Sequence, residues 1–232
     1  KPISNSLSSA KKIIKLCEKK GIVLQINHQR RFDPFYQKLK KNISNKTLGR
    51  IQLVNVYYGG GVANTGSHVF DLIRFFFGDV KSVQGSFGPN LVNISDPNIN
   101  GIIYCKNNTT VNLQFLDYTR YNVLEFDIFG TNGRIIINLT NSTIKFSTKS
   151  TSKPLVYNSL IPKPTKKIRQ ISSISKGLEN LITAIQTNSK PMCTGFDGYN
   201  SLEIILGLMQ SAKNNNKLIS MPIVSNLIIK SR

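Results

Sequence analysis

Carboxylates, cysteines and histidines are scarce in this chain. Its 232 residues hold 11 Asp and Glu against 31 Lys and Arg, with three cysteines and two histidines. Cys17, Cys105 and Cys193 are odd in number, widely spaced and without a C-x-x-C or Cys/His metal pattern. That usage fits reduced, mostly buried thiols in a cytoplasmic protein. So few ligands of the right kind argue against a metal site. No apolar run approaches the length of a membrane span, and no signal-peptide pattern is visible. The chain starts at Lys1-Pro2 rather than Met, and so reads as a segment of something longer.

The formal charge of +20 raises the question of nucleic acid. The lysines are dispersed, however, over Lys11-Lys12, Lys19-Lys20, Lys38 to Lys41, Lys163 to Arg169 and Lys213 to Lys217. No arginine-rich tract is interleaved with aromatics, and there is no zinc-finger spacing or RNP-like strand. Neither a nucleic-acid nor a membrane partner is expected. The charge is read as lysines on solvated faces that also help to hold a phosphorylated cofactor or a nucleotide sugar.

Hydrophobic spacing organises what is there. Leu7, Ala10, Ile13, Ile14 and Cys17 form a helical stripe that Gly21 stops. The short apolar run Ile22 to Ile26 is expected to be a strand buried on both faces, as in a parallel sheet. Asp33-Pro34 opens a second helix that runs to Gly49. Alternation over Arg50 to Tyr58 marks a strand, and five or six further strands follow between Val80 and Ser147. Residues from about Thr148 to Ile174 are expected to be a surface excursion. Helices over Gly177 to Thr187 and Ser201 to Asn214 complete the ordered part.

One stretch stands apart, Gly59-Gly60-Gly61-Val62-Ala63-Asn64-Thr65-Gly66-Ser67-His68, which leads into an apolar helix closed by Gly78. Three glycines permit a close backbone approach or positive φ. An imidazole on the first helical turn beside such a loop suits a small-substrate site. Asn64 and His68 share a face if helix has begun by Asn64, and meet only across a loop if Ser67 is the N-cap.

Together these segments resemble the Gfo/Idh/MocA family of NAD(P)-dependent sugar oxidoreductases. Lys1-Pro2 is similar to the end of its Glu-Lys-Pro motif. Asn27 to Pro34 resembles its Arg-Arg-Phe-x-Pro segment, and Gly59 to Asp71 its Asp-x-x-x-His-x-x-Asp motif. Phe129 to Gly133 resembles its Gly-Thr-x-Gly hairpin, and Gly195 to Ser211 its late Asp-Gly helix. The resemblance implies an α+β fold with a large mixed, mainly antiparallel sheet and helices on one face, as in the C-terminal domain of dihydrodipicolinate reductase. A last βαβ remnant of a Rossmann domain, residues 1–30, would precede a substrate-binding and oligomerisation domain, residues 31–232.

The implied chemistry is hydride transfer between a sugar or nucleotide-sugar hydroxyl and NAD or NADP. His68 would be the acid/base, Lys1 the ammonium on the reacting oxygen, and Arg30 a substrate or nicotinamide contact. Lys1 and Pro2 would lie on the cofactor side. Asn64 stands where the family has Asp, and can orient but cannot carry charge. The Gly-rich phosphate fingerprint is not in these residues, so this segment alone is expected to bind cofactor poorly. The family pattern also implies a homodimer or homotetramer through the open sheet face. The alternative is a non-catalytic binding or assembly module that retains the fold.

Overall fold

The computed structural model describes residues 1–89, 96–150, 157–169 and 171–229. Ser6 caps α1 (Leu7–Lys19) by accepting the Ser9 amide at 3.3 Å. Asp33 caps α2 (Pro34–Ser44) through the Phe35 amide at 2.8 Å, with Pro34 at the first helical position, where its missing N–H costs nothing.

After α2 come β1 (Ile51–Tyr58), a π-helical turn (Gly61–Thr65) and α3 (Gly66–Phe77). A run of strands follows: β2 (Val80–Phe87), β3 (Ile99–Cys105), β4 (Thr110–Phe115), β5 (Glu125–Gly130), β6 (Gly133–Asn138) and β7 (Thr143–Lys149). The expected surface excursion contributes two short edge strands, β8 (Leu160–Pro162) and β9 (Lys166–Lys167). The chain then forms α4 (Ser173–Gln186), α5 (Gly195–Lys213) and β10 (Ile219–Ser220).

All ten strands join one sheet in the order β10-β2-β3-β4-β1-β5-β6-β7-β8, with β9 also on β7. Every pairing is antiparallel except β1 with β4, which is parallel. Helices α3 and α5 pack on one face, over inward side chains such as Val54, Val56, Tyr58, Phe126, Ile128, Ile135 and Ile137, all buried. Burying such a side chain contributes roughly 1.5–3 kcal/mol. The Tyr58 hydroxyl meets its need inside that core by donating to the Ile99 carbonyl at 2.6 Å. The fold class read from the sequence is the one observed.

Four elements differ from the sequence reading. One is α4, which starts at Ser173 rather than Gly177 because Ser172 caps it through the Ser175 amide. Ile22 to Ile26 is not a sheet strand: its one ladder contact is an isolated antiparallel bridge from Gln25 to Thr194, and Ile22 stays exposed. A strand needs a neighbour along its length for its amides, and this segment meets Cys193 and Thr194 only at its end, where the Ile26 amide donates to the Cys193 carbonyl at 3.0 Å. Helix α5 starts at Gly195 rather than Ser201, because Thr194 and Asp197 form a capping box. Helix α2 ends at Ser44, ahead of Lys46 in a left-handed conformation.

Candidate active site

The glycine run serves the protein's own packing. Gly60 and Gly61 take φ of +81° and +88°, and a Cβ on Gly61 would collide with the Asp96 carboxylate. That carboxylate caps the π-helical turn, accepting the Ala63 amide at 2.7 Å and the Asn64 amide at 2.9 Å. A Cβ on Gly59 would meet Tyr118 Cβ at 2.6 Å. The close approach foreseen for a substrate is therefore taken up by Asp96 and Tyr118.

The π-helical turn runs straight into α3, so helix has already begun at Asn64 and Ser67 lies inside it. The Ser67 hydroxyl donates to the Asn64 carbonyl at 2.7 Å. Asn64 itself is exposed. His68, one turn on, is mostly buried and faces a second imidazole. The His28 and His68 rings lie edge to face with centroids 6.4 Å apart. These are the only histidines in the chain.

His28 leads into a 3-10 turn, Gln29–Phe32, which sends its two arginines to different places. Adjacent residues on a 3-10 turn point about 120° apart. Arg31 is buried and grips Asp71 of α3, with Nε at 2.9 and 3.0 Å from the two carboxylate oxygens and Nη2 at 2.9 Å. Its Nη1 reaches Asp197 of α5 at 3.1 Å. Arg74 holds the same Asp197 oxygen at 3.3 Å and Asp79 at 2.9 Å. This buried lattice fixes α3, α5 and the 3-10 turn against one another.

Arg30 goes the other way, against the Tyr36 hydroxyl, and its Nη1 is buried with no hydrogen-bond partner. Both ring nitrogens of His28 are also buried and unpartnered, Nε2 standing 3.9 Å from Asp71. Lys1 is brought to the same region because Ile3 packs over Gly198 of α5. A Cβ on Gly198 would lie 2.8 Å from Ile26 and 3.2 Å from Ile3. Pro2 is half-buried beside it.

The charges act on each other. Burial first, then Arg30, Lys1 and the amino terminus, holds His68 down to about 3. Burial, then Arg31, His68 and Lys1, holds His28 down to about 2. Both imidazoles are neutral at pH 7. Lys1 is lowered by burial and by Arg30. Burial pushes Asp71 up to about 6 against the pull of Arg31, which leaves it ionised at neutral pH.

Of the residues singled out from sequence, Lys1 and Arg30 thus both act on His68, and Arg30 on Lys1, with Pro2 alongside. Asn64 sits one turn before His68 on the exposed side. Sequence reading passed over His28, although a chain with two histidines, one of them ahead of an arginine pair, carried that signal. It also passed over the Arg31–Asp71–Asp197 lattice, which joins positions far apart in sequence. Among the described residues no group of three or more His, Cys, Asp or Glu is placed to hold a metal.

Residues 56–136 match the GFO/IDH/MocA C-terminal domain. Over 91% of its length the chain is 27% identical to the uncharacterized oxidoreductase YrbE of Bacillus subtilis. Over 89% it is 22% identical to the myo-inositol 2-dehydrogenase of Thermotoga maritima. The family match places a Gfo/Idh/MocA C-terminal domain pattern within residues 56–136. The chain spans 67% and 66% of the lengths of those two relatives.

Solved dehydrogenase structures carry the same fold. A levoglucosan dehydrogenase in complex with NADH superposes with a TM-score of 0.78 at 16% identity, over 97% of this chain and 73% of that one. The WlbA dehydrogenase from Bordetella pertussis, in complex with NADH and UDP-GlcNAcA, gives 0.73 at 19% identity over 97% and 71%. At such identities the likeness shows the fold alone. His68 and Asp71 are the residues that the sequence resemblance set in the family's His-x-x-Asp pattern, and Asp71 is tied to Arg31.

Proposed function

We propose that this chain is the substrate and catalytic half of an NAD(P)-dependent dehydrogenase acting on a hydroxyl of a sugar or nucleotide sugar. The observation that supports the reading is the convergence of Lys1 and Arg30 on His68, whose imidazole both hold below its ordinary pKa, with Arg30 acting on Lys1 as well. His68, neutral at pH 7, takes the hydroxyl proton on an imidazole nitrogen. Lys1 donates an N–H to the same oxygen and steadies the developing alkoxide. Its lowered pKa makes it a better donor there. In the reverse direction the imidazolium of His68, a strong acid in this setting, returns the proton.

A nicotinamide cofactor, when bound, supplies the hydride acceptor. The unpartnered Arg30 Nη1 and His28 ring nitrogens suit the amide and hydroxyl groups of its nicotinamide end, with Lys1 and Pro2 beside them. Gly59 to Gly61, filled by Asp96 and Tyr118, does not suit the pyrophosphate. In this reading residues 1–30 go with a nucleotide-binding domain and residues 31–232 with the substrate domain. Asn64 orients substrate without carrying charge. The open sheet face serves assembly into a homodimer or homotetramer.

Asn64 also favours a second reading, a non-catalytic binding module, since it is exposed and uncharged where the family has Asp. Turnover separates the two. The complete gene product, supplied with NAD or NADP and a panel of sugars and nucleotide sugars, should reduce the cofactor. A product that binds neither nucleotide would remove the dehydrogenase reading.

A further inference from the structure

Behind His68 stands a second imidazole, and it is the more deeply buried of the two. His28 is only 2% exposed, yet neither of its ring nitrogens has a hydrogen-bond partner. A neutral imidazole buried with an idle donor and an idle acceptor requires a reason. Two neighbours offer one. His28 Nε2 stands 3.9 Å from Asp71 Oδ1, and the His28 ring meets that of His68 edge to face, with centroids 6.4 Å apart. Both separations are longer than a hydrogen bond. Catalytic hydrogen bonds are often long before substrate binds and tighten in its complex. A rotation of either ring, or one water between the imidazoles, joins Asp71, His28 and His68 into a chain.

We propose that His28 relays the proton of the reacting hydroxyl from His68 to Asp71. This rests on the dehydrogenase reading, in which His68 is the base, and adds the two groups behind it. While the carbinol C–H leaves as hydride to the nicotinamide, the O–H proton passes to one nitrogen of His68. The other nitrogen of His68 gives its proton to His28 Nδ1, and His28 Nε2 gives its own to the Asp71 carboxylate. Asp71 gains one proton, and both imidazoles end neutral with their tautomers exchanged. Once product leaves, the transfers run backwards and the proton departs to solvent through His68.

The surrounding charges favour that direction. Burial, with Arg30, Lys1 and the amino terminus around His68, and Arg31, His68 and Lys1 around His28, holds the two imidazoles down to about 3 and about 2. Burial pushes Asp71 up to about 6; Arg31 and Arg74 pull it down and Asp197 adds to the rise. The Cys193 thiol beside them, pushed up by burial to about 12, stays protonated. Of the three groups the carboxylate is therefore the one that can keep a proton near neutrality, and His68 carries it only in passing. When Asp71 is neutral, Arg31 retains Asp197 at 3.1 Å as its counter-charge. His28, acting from behind His68, leaves contact with the nicotinamide end to Arg30.

His28 and Asp71 act through His68, so the tests follow the proton rather than the fold. In the chain, whose only imidazoles are these two, nitrogen-15 NMR should find His28 at pH 7 as the Nε2–H tautomer. Both rings should respond, without becoming charged, as Asp71 is protonated near pH 6. In the complete gene product, assayed on myo-inositol, D-glucose and UDP-glucose, oxidation needs an ionised Asp71. Its kcat should therefore be full above about pH 6 and fall below it. His28→Phe, which keeps an aromatic ring, should lower kcat at pH 7 roughly 10–100-fold with KM little changed. With Asp71 uncoupled, its remaining turnover should stay flat from about pH 7 to about pH 5. His28→Gln, which can hydrogen-bond but not shuttle, should match it and serves if the Phe variant does not fold. A folded His28→Phe protein with wild-type turnover, or with an unmoved acid limb, would overturn the relay and leave His68 as the base. So would an Nδ1–H tautomer of His28 or an imidazolium forming near pH 6. A gene product that oxidises none of the three would remove the dehydrogenase reading and the relay with it.

Discussion

His68 is asked to be a base in a place that resists its protonation, and both halves of that statement can be measured. His68→Ala in the complete gene product should lower turnover by roughly 10²–10⁴-fold, the range for losing a general base. Near-normal turnover would move the proton to another group. The Lys1 side chain is desolvated only in part and keeps solvent access, so Lys1→Met should cut turnover while leaving the thermal midpoint unchanged. A variant that instead fails to fold would refute its catalytic assignment. The resistance to protonation has its own signature. In the unfolded chain both histidines titrate near the ordinary 6.5, in the folded chain near 3 and 2. Between 6.5 and about 3 a falling pH protonates only the unfolded state, so stability present above 6.5 is lost, by up to about 1.4 kcal/mol per pH unit per histidine. Asp71, raised to about 6, works the opposite way between 6 and its ordinary 3.8. The readout is therefore a difference: in urea melts, wild type should lose stability faster on acidification than His68→Gln. Parallel curves would mean that His68 is not held neutral. Gly61→Ala tests the loop, since it forces a Cβ into Asp96 at φ +88° and should cost about 1–3 kcal/mol.

At the scale of elements, the site is held by Arg31 more than by any loop. It ties the 3-10 turn to Asp71 of α3 and Asp197 of α5. Arg31→Met should destabilise the fold by roughly 3–5 kcal/mol in urea melts, because it strands a buried carboxylate. Arg31→Met with Asp71→Leu should recover most of that loss, since an apolar pair of similar volume replaces the ion pair. If the double variant is no better than the single one, the cost lies in packing rather than charge. This lattice explains what the sequence hid. Helical stripes, the Asp33-Pro34 start and the alternation of β1 are local patterns, and each one formed where its spacing said. The parallel insertion of β1 beside β4, between strands distant in sequence, leaves no local mark. Neither does the pairing of Arg31 with residues 40 and 166 positions away. Ile22 to Ile26 fails for the converse reason: its composition is that of a strand, but a strand exists only with a partner.

For the molecule as a whole, the sheet face opposite α3 and α5 is the surface on which the proposed assembly rests. The family pattern implied an interface between copies on this face, and the face is a mixture of apolar and polar side chains. Arg134 holds Asp127 through two bonds of 2.7 Å, Asn138 donates to Glu125 at 3.0 Å, and Asn112 to Asn55 at 3.0 Å. Leu53, Tyr57 and Ile136 lie among these pairs, half-buried. The cross-strand polar pairs satisfy one another, so the face can be covered without stranding charge. Assembly through it then has to overcome the repulsion between two chains of +20 each. Because that repulsion is long-range and the contacts are short-range, salt should favour the assembly. Sedimentation equilibrium should show the oligomer fraction rising with ionic strength. Ile136→Glu should return the chain to monomer without lowering its thermal midpoint. A monomer at every ionic strength would end the assembly reading of this face, and an oligomer indifferent to Ile136→Glu would place the interface elsewhere.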